Sequence, residues 1–189
     1  MKHILFLASG NSRRFGENKL LKVLSGKPLY RHGLDTLAEL VREREDCTLA
    51  VVSRYAAVRA GAQALGVRAV DSPESEKGLS YTIRAGLDAL DLQDGDFIVF
   101  VVADQPYLTQ KTVARLLDAA APGVRMARVV FGERRGSPNL FCAALAPALR
   151  ALEGDEGGRE LLRGADCVTV QAGSERELYD VDTVSDLNG

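Results

Sequence analysis

Residues 2–8 read KHILFLA, and they run straight into SGNSRRFGENK at residues 9–19. A short, unbroken apolar run ending at Ser9 and Gly10 is the pattern of a strand covered on both faces, and strands of that kind belong to parallel sheets. Outward from this point the chain alternates. Residues 28–44 place Leu34, Leu37, Ala38 and Val41 at helical spacing, and 47–53 is again an apolar run that stops at polar residues. Helices are expected near 56–65, 80–90 and 109–121, with strands at 67–70 and 97–103 between them. Beyond Pro122 the expectation is a strand at 126–131, a turn at 134–138, a helix near 144–152 and a closing strand at 167–171.

Strand and helix in alternation predict a mostly parallel sheet with helices on both sides, because a parallel crossover needs a connection long enough to hold a helix. Such sheets bind ligands beyond the carboxyl ends of their strands. The loops of interest therefore follow Ala8, Ser53, Val70 and Ala103. At 189 residues and 46% hydrophobic content the chain suits one domain, 1–189, with a core that needs no covalent staples. Its 24 basic and 26 acidic residues leave a net charge of −2 with no basic block, which argues against duplex nucleic acid as a partner. Cys47, Cys142 and Cys167 lie far apart and outside metal-ligand spacing, so they read as free thiols in a reducing compartment, the cytoplasm by default. The opening apolar run is too short to span a membrane.

The loop at 9–19 carries two glycines, two adjacent arginines and a terminal lysine, a composition suited to anions. Lys19 follows Gly16 by three positions, so this is neither a Walker A loop nor a G-x-G-x-x-G turn. An ordinary strand-to-helix loop could also hold glycine and charge. Asp104 ends the apolar run FIVFVVA, where a hard cation such as Mg²⁺ could take one or two carboxylates, or where an aspartate could simply stabilise a turn before Pro106. Asp180 and Asp182 in YDVDTVSDL could cap a closing helix from Thr183, and Ser80 in GLSYTIRAGL is the natural cap of its helix. The segment RRGSPNLF at 134–141 could be a solvated hairpin.

Residues 7–19, LASGNSRRFGENK, resemble the L-A-[AG]-G-x-S-x-R-[FM]-G-x-x-K signature of the nucleotidyltransferases related to molybdenum cofactor guanylyl- and cytidylyltransferases, with Ser9 as the departure. A-D-Q-P at 103–106 resembles the metal-binding aspartate motif of that family, and D-V-D-T-V-S-D-L at 180–187 its C-terminal motif, with Val184 and Ser185 where Pro and Glu are usual. Residues 78–87 and GDEGGRELL at 154–162 resemble the cytidylyltransferase branch, and 136–141 resembles a segment near the acceptor.

The resemblance implies a three-layer α/β/α, Rossmann-like fold of the nucleotide-diphospho-sugar transferase type. It implies nucleotide contacts at Leu7, Ala8, Ser9, Gly10, Arg14, Lys19, Ser53, Asp71 and Ser80, a catalytic set of Lys19, Arg14 and Asp104, and Mg²⁺ on Asp104 with Asp182. The implied reaction is transfer of CMP from CTP to molybdopterin with release of pyrophosphate, and the implied client is a molybdoenzyme. Related transferases would use GTP or another small phosphorylated acceptor. A non-catalytic nucleotide-binding or cofactor-delivery module is a reading of another class, and a redox enzyme is a third that lacks the dinucleotide fingerprint.

Overall fold

The computed structural model describes residues 1–10, 18–163, 167–183 and 186. In chain order the elements are β1 (Lys2–Leu7), β2 (Val23–Leu24), β3 (Lys27–Pro28), α1 (Leu29–Arg42), β4 (Cys47–Ser53), α2 (Ala56–Gln63) and β5 (Arg68–Asp71). They continue with α3 (Leu79–Asp88), β6 (Phe97–Val102), α4 (Gln110–Asp118), β7 (Met126–Phe131), β8 (Arg134–Cys142), α5 (Ala146–Arg150) and β9 (Val168–Gln171). Among the described residues the main sheet has the strand order β5-β4-β1-β6-β8-β7-β9, with β2 and β3 paired separately. β1 pairs in parallel with β4 on one side and β6 on the other, and within the main sheet β8 alone runs antiparallel to its neighbours.

Alternation along the central strands divides the core in two. Ile4, Phe6, Val51, Val99 and Val101 point to the face covered by α1, α2 and α4, where they meet Leu34, Leu37, Val58, Leu116 and Leu117. Leu5, Leu7, Val52, Ile98 and Phe100 point the other way, onto Ile83 and Leu87 of α3 and Leu149 of α5. A strand flanked by strands and covered on both faces can expose no side, which is why residues 2–8 read as a continuous apolar run. The architecture is the expected α/β/α one.

Two local expectations are corrected. Residues 134–138 are no turn, since they begin β8, which lies between β6 and β7. A proline normally excludes a central strand because it has no N–H for the ladder. Here β6 pairs with β8 only from Asn139 to Cys142, and the pairing with β7 jumps from Asn139 to Arg135 across a register shift. Pro138 sits in that gap, so its missing donor costs no ladder bond. The second correction concerns α3, which starts from Gly78 with no side-chain cap, so Ser80 is not its cap.

At the amino edge of the sheet Asp96 precedes β6 and is 5% exposed. Its carboxylate accepts from the N-terminal ammonium at 2.6 Å, from Gln93 N–H at 2.9 Å, and pairs with His3 Nε2 at 3.1 Å. Burial pushes this carboxyl up, but those three partners outweigh it and hold the group at about 2. Because the folded value lies below the usual one near about 4, the associated stability is complete above about pH 4 and disappears as pH falls through about 2. Asp96→Asn is expected to be less stable than wild type at pH 7, with the difference shrinking between pH 4 and 2 in urea titrations. Leu34, fully buried under the sheet, is expected to cost about 2–5 kcal/mol when cut to Ala, read as a lower urea midpoint.

Candidate functional site

The parallel strands β4, β1 and β6 end side by side, and their exits are tied together. Ala8 N–H donates to Val52 O at 2.9 Å and Ala103 N–H to Leu7 O at 3.1 Å, extending the ladder one residue past each strand. Ser53 Oγ donates to Ala8 O at 2.6 Å and accepts from Tyr55 N–H at 3.1 Å. Ser9 Oγ accepts from Arg54 N–H at 3.1 Å. Both hydroxyls therefore hold the base of the loop in place, and Ser53 is fully buried beneath it. Gly10, by contrast, meets nothing among the described residues where a side chain would stand, a position that suits close approach to its backbone. Arg14 lies outside the described residues.

The chain returns at Asn18, whose Oδ1 accepts from Leu20 N–H at 3.1 Å and caps a single 3₁₀ turn, Lys19–Leu21. That turn aims Lys19 back over the sheet. Its Nζ donates to Asp104 Oδ2 at 2.7 Å, to Val181 O at 2.8 Å and to Asp182 Oδ1 at 3.3 Å, with the side chain only 11% exposed. Burial alone would favour the neutral amine, but Asp104 and then Asp182 overcome it and raise the ammonium above its ordinary value. Lys19 is thus a fixed cation at neutral pH.

Asp104 and Asp182 converge on one point although they come from β6 and from the carboxyl end of the chain. Val181 N–H donates to Asp104 O at 2.9 Å, which locks the last segment against the end of β6. The helix-cap and N–H-accepting roles nearby are filled by other residues. Thr109 caps α4 by accepting from Thr112 N–H at 3.3 Å, and Asp186, not Asp182, accepts from the N–H groups of Asp182 and Thr183. Next to this pair Asp180 Oδ1 accepts from Gln105 Nε2 at 2.8 Å. Burial, then the charges of Asp104 and Asp182, raise the Asp180 carboxyl above the usual range.

Two cavities open on this end of the sheet. The larger, about 470 Å³, is walled by Leu7 and Gln105 from the strand ends, by Asp180, and by Arg128, Arg134 and Arg135 from β7 and β8. The Arg135 side chain has no ion-pair or hydrogen-bond partner among the described residues and stands exposed. The smaller, about 160 Å³, lies against Ser9 and Gly10 and is closed by Ser75, Gly78 and Thr82. Gly78 has φ +136°, and a Cβ there would stand 2.1 Å from Gly154 O. The close approach lets Ser80 N–H donate to Gly154 O at 3.0 Å, so the loop at 153–157 sits directly on the start of α3.

Among the expected site residues, Leu7, Ala8, Ser9, Gly10, Lys19, Asp104 and Asp182 gather at one end of the sheet. Ser80 is fully buried, behind residues that line the smaller cavity. Asp71 is exposed and accepts from Arg59 Nη1 at 2.8 Å, and the same guanidinium donates to Ser53 O at 2.8 Å. Sequence reasoning missed the Val181 carbonyl, the Gln105 and Asp180 pair, and Arg128. Gln105 and Asp180 do stand inside the A-D-Q-P and D-V-D-T stretches, and Arg128 left its own signal as a cation inside the apolar run MARVVF; it is 8% exposed and donates to Cys167 Sγ at 2.9 Å. Two oxygen donors 85 and 163 residues from Lys19 suit a hard divalent cation that takes its remaining ligands from phosphate and water. Among the described residues no three His, Cys, Asp or Glu side chains are grouped to hold an ion by themselves. No described helix is long and apolar enough to cross a membrane.

Residues 4–172 match the family model described as the MobA-like NTP transferase domain. The chain is 31% identical over 194 residues to the purine catabolism protein PucB of Bacillus subtilis (strain 168), covering 95% of this chain and 90% of that one. It is 30% identical over 195 residues to a molybdenum cofactor guanylyltransferase of Burkholderia orbicola (strain MC0-3), covering 97% and 92%. The fold matches a nucleotidyl transferase from Methanothermobacter thermautotroptrophicus with a TM-score of 0.78 at 20% identity, over 98% of this chain and 94% of the other. It also matches a Mycobacterium tuberculosis H37Rv protein solved in complex with manganese, with a TM-score of 0.74 at 22% identity, over 99% and 96%. A cation-and-carboxylate centre at the ends of parallel strands, under a family match that spans most of the sequence, places the chain in the MobA-like NTP transferase family as a nucleotidyltransferase.

Proposed function

We propose that this nucleotidyltransferase, one domain over residues 1–189, moves CMP from CTP to molybdopterin and releases pyrophosphate. The observation that carries the reading is the Lys19 ammonium held between Asp104 and Asp182, beside a cavity walled by arginines. A phosphate monoester on the acceptor is already an anionic nucleophile, so the protein has to position and neutralise rather than remove a proton. In this reading the acceptor enters the larger cavity, where Arg134 and Arg135 offset the charge of its phosphate. An acceptor oxygen bonds to the α-phosphorus, the bond from that phosphorus to the oxygen bridging to the β-phosphate breaks, and the electron pair leaves with pyrophosphate.

Lys19 would neutralise the triphosphate, with Arg14 and the backbone of Leu7, Ala8, Ser9 and Gly10 holding the nucleotide. Ser53, Asp71 and Ser80 would act from its edge. Asp104 and Asp182 would hold Mg²⁺, which when bound supplies charge neutralisation on the phosphate oxygens. Manganese in a relative of the same fold supports a divalent ion. The cytidine preference is supported by residues 78–87 and 154–162, which resemble the cytidylyltransferase branch and are joined through Ser80 and Gly154. A guanylyltransferase among the relatives favours GTP as the second reading. Three free thiols, Cys47, Cys142 and Cys167, fit the cytoplasm.

Purified protein with Mg²⁺, molybdopterin and each of the four NTPs is expected to release pyrophosphate with CTP and to yield the cytidine dinucleotide by mass. A guanosine product would establish the second reading, and pyrophosphate release with none of the four would overturn both. Asp104→Asn is expected to lower turnover on the order of 10²–10³-fold with an unchanged circular dichroism spectrum.

A further inference from the structure

The two cavities share a boundary, and Asp155 lines both of them. Its side chain is exposed and has no hydrogen bond or ion pair among the described residues. The loop that carries it is nonetheless held firmly. Gly154 O accepts from Ser80 N–H, Glu153 N–H donates to Glu156 Oε2 at 2.9 Å, and Gly157 and Gly158 pack where a Cβ would strike Leu79 and Phe141. Asp155 is thus held by its loop at the boundary between the compartment beside Ser9 and Gly10 and the compartment walled by arginines.

A second observation points to a polar ligand in the smaller compartment. Ser75, which lines it, is 2% exposed, and its Oγ has no hydrogen-bond partner among the described residues. Buried hydroxyls are normally satisfied, so this one is suited to a hydrogen bond from a bound molecule.

Ionised carboxylates accept hydrogen bonds and cannot donate them, so Asp155 would repel a phosphate and suits a neutral group bearing donors. In the nucleotidyl-transfer reading Lys19 holds the triphosphate, so the α-phosphorus lies toward that centre and the nucleoside extends from it into the compartment beside Ser9 and Gly10. On the nucleoside side the group next to that phosphorus is the ribose, whose two hydroxyls are donors. We propose that Asp155 binds the ribose hydroxyls of the nucleoside triphosphate and makes the enzyme selective for ribonucleotides, an assignment that rests on the nucleotidyl-transfer reading above. The loop at 153–157 then links sugar recognition to the acceptor compartment, since one residue lines both.

The test is calorimetric titration, with Mg²⁺ present, of each of the four ribonucleoside triphosphates and its 2′,3′-dideoxy counterpart into wild type, Asp155→Ala and Asp155→Asn. Wild type is expected to prefer the ribonucleotide by about tenfold to a hundredfold, the usual effect of a hydrogen bond to a charged group. Asp155→Ala is expected to bind the two alike, and Asp155→Asn, which keeps one acceptor oxygen, to retain part of the preference. A purely structural role would weaken both nucleotides equally and leave the ratio unchanged. An unchanged ratio in a folded variant of either kind, or equal binding by wild type, overturns the assignment while leaving nucleotidyl transfer intact. Failure of wild type to bind any triphosphate overturns both.

Discussion

The Lys19 ammonium sits where three separate parts of the chain would otherwise repel or drift apart. Asp104 at the end of β6 and Asp182 near the carboxyl terminus are both anionic, and without a cation between them their approach would be unfavourable in a partly buried setting. Lys19 turns that repulsion into mutual attraction and adds a hydrogen bond to Val181 O. The centre is consequently preorganised, with its charges fixed by backbone contacts such as Val181 N–H to Asp104 O.

The surrounding architecture serves this arrangement. Three parallel strands, β4, β1 and β6, end at the same level because their registers are aligned residue by residue, Leu7 opposite both Val52 and Val102. Ser9 and Ser53 then stitch the first two exits together. The antiparallel β8 and its irregular ladder with β7 bring Arg134 and Arg135 to the same end as the carboxylates. A regular ladder would also have excluded Pro138, so the shift in register both admits the proline and shapes the cavity wall.

Most of the fold was legible because buried parallel strands advertise themselves. The runs at 47–53 and 126–131 coincide with β4 and β7 residue for residue, and β1, β5, β6 and β9 differ from expectation by a residue or so at their ends, whereas the two-residue strands β2 and β3 were not anticipated. β8 was hidden because glycine, serine and proline signal a turn locally, while the bulge that tolerates them is a property of two strands together. Ser80 misled for a related reason. It looks like a cap, but Gly78 makes a backbone contact with Gly154 that no side chain at that position would permit.

The sequence by itself determined the layered α/β/α plan, the position of the anion loop and Asp104 as a candidate metal ligand, whereas Asp182 entered as a metal ligand only through the family resemblance. Hydrophobic periodicity and strand-end chemistry are local, and so they can be read from neighbours along the chain. Only the tertiary structure decided that Lys19 lies between those aspartates, that Ser53 supports the loop from beneath, and that Asp155 stands between two cavities. Those facts depend on contacts between residues as far as 163 positions apart, and no spacing rule encodes a distance that chain folding creates.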